Sequence, residues 1–139
     1  MARILAIDYG KKRVGLAVSD PGKIIANQLK TVPTHEIWNF FRDYFMTEEV
    51  DEVVIGYPRK MNNQASEAVS YLNPFIRRFK KEYPNMHIEL ADERFTSKLA
   101  FQAMIDGGLK KKARREKARV DAISATIILQ SYMEQKRNR

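Results

Sequence analysis

Residues 1–20 read MARILAIDYGKKRVGLAVSD. Ile4, Leu5, Ala6 and Ile7 form an apolar run of strand length, closed by Asp8. The Tyr9–Lys12 turn follows and a second strand covers residues 13–19. Along that strand Val14, Leu16 and Val18 alternate with Gly15, Ala17 and Ser19. The second set is unusually small, and small side chains on a strand commonly admit the close approach of another backbone. A mixed, weaker pattern over Ile24–Val32 predicts a third strand, so the chain opens as a three-strand antiparallel meander.

The period then changes. Ile37, Trp38, Phe41, Tyr44 and Phe45 recur at helical spacing from His35 to about Thr47, with Trp38 and the Phe residues as core. Glu52–Gly56 is a short buried strand. A polar turn over Lys60–Gln64 leads to a second helix marked by Ala68, Val69, Leu72, Phe75, Ile76 and Phe79. Pro74 should kink that helix, or Asn73 should cap a new one. His87–Asp92 is a fifth strand. Thr96 can cap a short helix that stops at Gly107 and Gly108, and a last helix runs from about Ala118 to Gln135. A meander followed by alternating strands and helices predicts one α/β domain over residues 1–139, its mixed sheet covered on both faces.

The chain has 139 residues, 44% of them hydrophobic, and no cysteine. Disulfides and thiolate metal sites are therefore excluded. No run reaches the roughly 18 apolar residues of a membrane span, and the start lacks a signal-peptide layout, so a cytoplasmic location is expected. The 25 Lys and Arg outweigh 17 Asp and Glu, a net charge of +8. The excess is concentrated in residues 107–118 and just beyond: Lys110, Lys111, Lys112, Arg114 and Arg115 lie in KKKARREKAR (Lys110–Arg119). Such a segment is a solvated loop, and also the footprint of a polyanion binder. Without bulky apolar residues to enter lipid, it favours nucleic acid over a membrane.

Three acids stand where acids are unexpected. Asp8 ends strand one, Asp92 and Glu93 end strand five, and Asp121 opens the apolar stretch of the last helix. Ser124 and Ala125 follow Asp121 by one turn, so the helix can lie against the small face of strand two or beside strand one, bringing Asp121 towards Asp8. Singly, each acid has a plain role: Asp8-Tyr9-Gly10 makes a good turn, and Asp121 complements a helix dipole. Together, on elements a mixed sheet would juxtapose, they read as a carboxylate site for a hard cation, Mg²⁺ or Mn²⁺, suited to phosphodiester hydrolysis. The turn carrying Lys11, Lys12 and Arg13 would face phosphate.

Asp8–Asp20 (DYGKKRVGLAVSD), Val54–Pro58 (VIGYP), Asp92–Ser97 (DERFTS) and Val120–Tyr132 (VDAISATIILQSY) resemble the YqgF/RuvX family of the RNase H-like superfamily. The likeness covers nearly the whole chain, and the first stretch matches the family's D-x-G-x-x-R-x-G-x-A-x-S-D pattern in full. The resemblance implies a mixed five-stranded sheet with three strands first, flanked by helices. It implies a metal-dependent nuclease with Asp8, Glu93 and Asp121 as the acidic metal-site trio and one or two Mg²⁺ or Mn²⁺ ions. Arg13 and Arg94 match the motif arginines and would touch phosphate; their alternative roles are pairing with Asp20 or with the acidic site. Tyr57 departs from the usual Leu, and Asn62-Asn63 from a common Asp-Gly.

Members are described either as nucleases that trim the 5′ end of precursor 16S rRNA or as Holliday-junction resolvases, and the former is the expectation here. A ribosome precursor is then the partner; a resolvase, cutting two strands, would be a homodimer. A non-catalytic nucleic-acid binder is the reading from another class. A phosphotransferase of the actin-like or sugar-kinase type comes last, since it needs two such domains. His35 and His87 lack a nucleophilic partner, and Tyr9 and Phe95, flanking Asp8 and Glu93, are the aromatics to consider for substrate contact.

Overall fold

The computed structural model describes residues 2–58, 63–92 and 117–138. Five strands, β1 (Arg3–Tyr9), β2 (Arg13–Ser19), β3 (Ala26–Pro33), β4 (Val50–Tyr57) and β5 (His87–Asp92), form one mixed sheet in the order β3-β2-β1-β4-β5. β1–β2 and β2–β3 are antiparallel, whereas β1–β4 and β4–β5 are parallel. A 3₁₀ turn (Thr34–Glu36) leads into α1 (Ile37–Thr47); α2 is Asn63–Glu82 and α3 is Lys117–Arg137. The meander, the mixed sheet and the flanking helices agree with the sequence expectation.

Alternation along the strands divides the core in two. Leu5 and Ile7, Val14, Leu16 and Val18, and Val53 and Ile55 face α1 and α2, where Phe41, Leu72, Phe75 and Phe79 close over them. Ile4 and Ala6, Ala17 and Val54 face α3 and meet Ala125, Ile128, Leu129 and Tyr132. The small face of β2 thus receives α3, with Ala125 among the helix's contact residues, as the spacing of small residues implied.

Three details differ from the sequence reading. α2 begins at Asn63, earlier than its apolar spacing shows, because polar positions carry no periodicity. It also runs unbroken through Pro74. The ring removes one helical hydrogen bond, but Leu72 before it and Phe75, Ile76 and Phe79 after it are all buried and hold both halves to the sheet. Asn73 caps nothing there: its Oδ1 accepts a 2.8 Å hydrogen bond from the Tyr57 hydroxyl, which gives that departure from the family pattern a structural partner. The third strand starts at Ala26, since Ile24 and Ile25 belong to a turn that Asp20 organises.

Candidate functional site at the carboxyl end of the parallel strands

Asp8 is half-buried at the carboxyl end of β1. By alternation it shares the α3 side of the sheet with Ile4 and Ala6. The ladder row before it is Ile7–Ile55–Leu90; in the next row Asp8 pairs with Gly15, and Gly56 pairs with Ala91. The carboxylate therefore belongs to a row in which Gly15, Gly56 and Ala91 are the smallest residues available, with Thr31 of β3 completing the row beyond Gly15. Crevices outside the carboxyl ends of parallel strands are where open α/β sheets take ligands.

The direction of α3 decides which of its ends lies near Asp8. Glu52 is 4% exposed on the α3 side, in the row of Ile4 near the amino end of β4. The Tyr132 hydroxyl donates to Glu52 Oε2, and Lys136 Nζ lies 2.9 and 3.1 Å from its two carboxylate oxygens. The last turns of α3 are thus pinned at the amino end of β1 and β4, and its first turns, with Asp121, lie towards the carboxyl end. Tyr132 to Asp121 spans about 16 Å of helix at roughly 1.5 Å per residue. Ile4 to Asp8 spans about 13 Å of strand at roughly 3.3 Å per residue. The two lengths are comparable, so the first turns of α3 lie towards the end of the sheet that holds Asp8.

Burial would raise the pKa of Glu52, but the Tyr132 hydroxyl, Lys136 and Lys23 outweigh it and hold the carboxyl below its ordinary value of 4.5. Sequence reading missed this residue. Within EVVIG it reads as a strand-edge acid, and its partners on α3 are remote in the chain.

The turn after Asp8 is built tightly. Gly10 N donates to Arg13 O at 2.9 Å, and a Cβ on Gly10 would lie 2.6 Å from that oxygen, so the turn requires glycine. Thr34 clamps it from the end of β3: its hydroxyl donates to Gly10 O at 2.7 Å and its amide to Lys12 O at 3.0 Å. No local signal marks Thr34 in the sequence. Lys11 and Lys12 are exposed on this turn, and Lys11 makes only a 3.9 Å pair with an equally exposed Glu67.

Arg13 opens β2, whereas Asp20 follows its far end, about 20 Å away at roughly 3.3 Å per residue. Pairing of Arg13 with Asp20 is excluded by that separation. The Asp20 carboxylate instead accepts the amides of Ile25 and Ile24, both at 2.7 Å, and of Gly22 at 3.2 Å, which hold its pKa below the usual value. Tyr9 is a second correction. It stacks on Phe75 with centroids 4.1 Å apart, on the α2 side of the sheet and away from the face of Asp8.

The side chains of Asp92 and Asp121 lie outside the described residues, as do Glu93, Arg94, Phe95, Thr96, Ser97 and the expected helix to Gly107. Lys110, Lys111, Lys112, Arg114 and Arg115 do too. Among the described residues no three acidic or imidazole side chains gather into a metal-binding group. Asp8 is the one member of the acidic trio whose side chain is described. The donor chemistry nevertheless fits a hard dication, because the chain offers carboxylate oxygen and no thiolate. His87 lies at the amino end of β5, 2.9 Å from Glu89, and brings no imidazole to the row of Asp8.

The order of strands and the helices on both faces define an RNase H-like α/β protein. RuvC of T. thermophilus, solved in complex with Holliday junction substrate, shares the fold: the TM-score is 0.59 at 16% identity, covering 98% of this chain and 96% of that one. The family model described as RuvX, Holliday junction resolvase, matches residues 2–135, and the chain belongs to the RuvX family. A protein of Bacteroides fragilis named "Putative pre-16S rRNA nuclease" is 57% identical over 99% of both chains. Relatives with the same name are 56% identical in Bacteroides thetaiotaomicron and 53% in Flavobacterium johnsoniae, again over 99% of each chain. Family and relatives agree on one class, the nucleases, which are hydrolases of phosphodiester bonds. Among the described residues no helix is long and apolar enough to cross a membrane.

Proposed function

We propose that this chain is a divalent-metal-dependent nuclease that matures the 5′ end of precursor 16S rRNA in the cytoplasm, with Asp8, Glu93 and Asp121 as its acidic trio. The observation that carries the reading is the position of Asp8: a half-buried carboxylate at the carboxyl end of β1, with Gly15, Gly56 and Ala91 in its row, on the side towards α3. The choice of RNA rests on the name shared by relatives 53–57% identical over almost the full length.

Asp8, Glu93 and Asp121 would hold one or two Mg²⁺ or Mn²⁺ ions. A dication there supplies charge for the phosphoryl oxygens and acidifies the attacking water. The chain's own groups do the rest. Gly15, Gly56 and Ala91 let a sugar–phosphate backbone approach the carboxylate. Lys11, Lys12 and Arg13, on the turn that Thr34 clamps, meet the flanking phosphates, as Arg94 does beside Glu93. Lys110, Lys111, Lys112, Arg114 and Arg115 add sequence-independent attraction to the backbone. The family description favours a second reading, a Holliday-junction resolvase acting as a two-fold homodimer.

The test is cleavage of a 5′-extended 16S precursor RNA and of a four-way DNA junction, with Mg²⁺, with Mn²⁺ and with EDTA. Metal-dependent cutting of the RNA at its mature end, abolished by Asp8→Asn, is the expected result. Symmetric cutting of the junction alone would establish the resolvase. Binding without cutting of either substrate would make the protein a non-catalytic binder.

A further inference from the structure

On the opposite side of the sheet, α1 and α2 enclose a groove of about 410 Å³ lined by Trp38, Asn39, Arg42, Arg78, Glu82 and Tyr83. Trp38 forms its floor. The indole is braced from beneath by Phe41, at 5.5 Å and edge-on, and by Phe75, at 5.3 Å between centroids. Arg78 lies over the indole, its guanidinium carbon 4.1 Å from the ring centroid, and Glu82 holds it from one turn on at 3.3 Å. The plane of the guanidinium is therefore fixed on one side by an aromatic ring and at its edge by a carboxylate. Its outer face is open, with the side chain 54% exposed.

We infer that this groove is a subsite for one unpaired nucleotide of the nucleic acid the protein acts on. A guanidinium plane fixed in this way is a stacking surface for a base that has left a helix. Exposed Asn39 offers both a donor and an acceptor to a base edge. Arg42 lines the groove as an exposed cation, its Nε 3.3 Å from an equally exposed Asp43, and can meet an adjoining phosphate. Arg78 covers the indole, so the surface on offer is the guanidinium's outer face: a base can stack on it, whereas a bare polyanion would use only its charge.

Placement agrees with this. α1 follows the 3₁₀ turn opened by Thr34, the residue that clamps the turn of Lys11 and Lys12. A ring stack runs from Trp38 through Phe75 to Tyr9, the neighbour of Asp8 in β1. A strand entering past Asp8 could thus follow the basic turn round the sheet end to the groove. The inference rests on the nucleic-acid reading above, but not on cleavage.

The chain contains one tryptophan, Trp38, so its emission reports on the groove directly. Binding is measured with Asp8→Asn protein in EDTA, where nothing is cut. A single-stranded RNA octamer should change the emission saturably, whereas a blunt RNA duplex, heparin and poly-glutamate should not. Arg78→Met and Asn39→Ala, both at exposed positions, should each weaken binding of the octamer, the first by roughly 5- to 100-fold as expected for loss of one stacked base. Arg78→Lys keeps the charge without the plane and should restore little. The inference is overturned if heparin matches the octamer or if Arg78→Lys binds like the parent, since charge alone then explains the groove. It is equally overturned if poly-glutamate saturates the change, which would indicate an acidic protein partner. An unaltered emission would reduce the stack to surface packing. Loss of cleavage in the earlier test with intact octamer binding would remove the catalytic reading and leave this one standing.

Discussion

The two faces of the sheet are built from opposite materials. Towards α1 and α2 the strands present Leu5, Ile7, Leu16 and Ile55, and the helices answer with an aromatic cluster centred on Phe41, Phe75 and Phe79. Towards α3 they present Ile4 and Val54 together with Ala6, Ala17 and, at the carboxyl end, Gly15, Asp8 and Gly56, and among the described residues no strand residue there is aromatic. Bulk on one face buries area and stabilises the fold. Small size at the carboxyl end of the other lets a helix come close beside the carboxylate that ends β1. The second face also carries the buried ion pair. Apolar packing between small residues resists sliding along a helix axis poorly, whereas Glu52 with Tyr132 and Lys136 defines a single axial position for α3.

The contrast can be broken from either side. Phe41→Ala empties the aromatic face and should cost about 3–5 kcal/mol, read by urea unfolding, while cleavage by the surviving folded fraction persists. Ala125→Leu overfills the small face. It should cost less, about 1–3 kcal/mol, yet abolish metal-dependent cleavage under conditions where the protein stays folded, because it lifts the helix that carries Asp121. Equal losses of stability and activity in that variant would end the distinction between the faces.

Tyr132→Phe sharpens the comparison through pH. The folded pKa of Glu52 is depressed, so its contribution to stability is complete above the ordinary glutamate value and is lost as pH falls through the folded value. Removing the hydroxyl should cost about 1–2 kcal/mol at neutral pH and move the acid limb of stability upward, as seen in thermal unfolding from pH 3 to 7. An unmoved acid limb would mean that Lys136 and Lys23 set the Glu52 carboxyl without the hydroxyl. The smallest effect is expected at the rim. Lys11→Ala should leave stability unchanged to within about 1 kcal/mol, since its pair with Glu67 is long and exposed. It should, however, lower the slope of log affinity against log salt for RNA by about one.

How much of this was legible varies with the range of the interaction involved. Strand alternation in residues 3–19 already separates Leu5 and Ile7 from Ala6 and Asp8, because the pleat assigns successive side chains to opposite faces. The close approach of α3 was also legible, from Gly15, Ala17 and Ser19 opposite Ser124 and Ala125. Glu52 was not: a buried acid is recognised by its partners, and Tyr132 and Lys136 are supplied by the far end of the chain. Thr34 escaped for the same reason, and Tyr9 was misplaced because adjacency to Asp8 in sequence means opposite faces in a strand.

By itself, then, the sequence determined the meander, the small-residue face and the carboxylate that ends β1, since these follow from local periodicity and side-chain volume. Tertiary structure alone decided which way α3 runs, and so which of its ends lies towards the end of the sheet that holds Asp8. That choice is made by a buried charge that cannot go unpaired, and its partners meet only once the chain has folded.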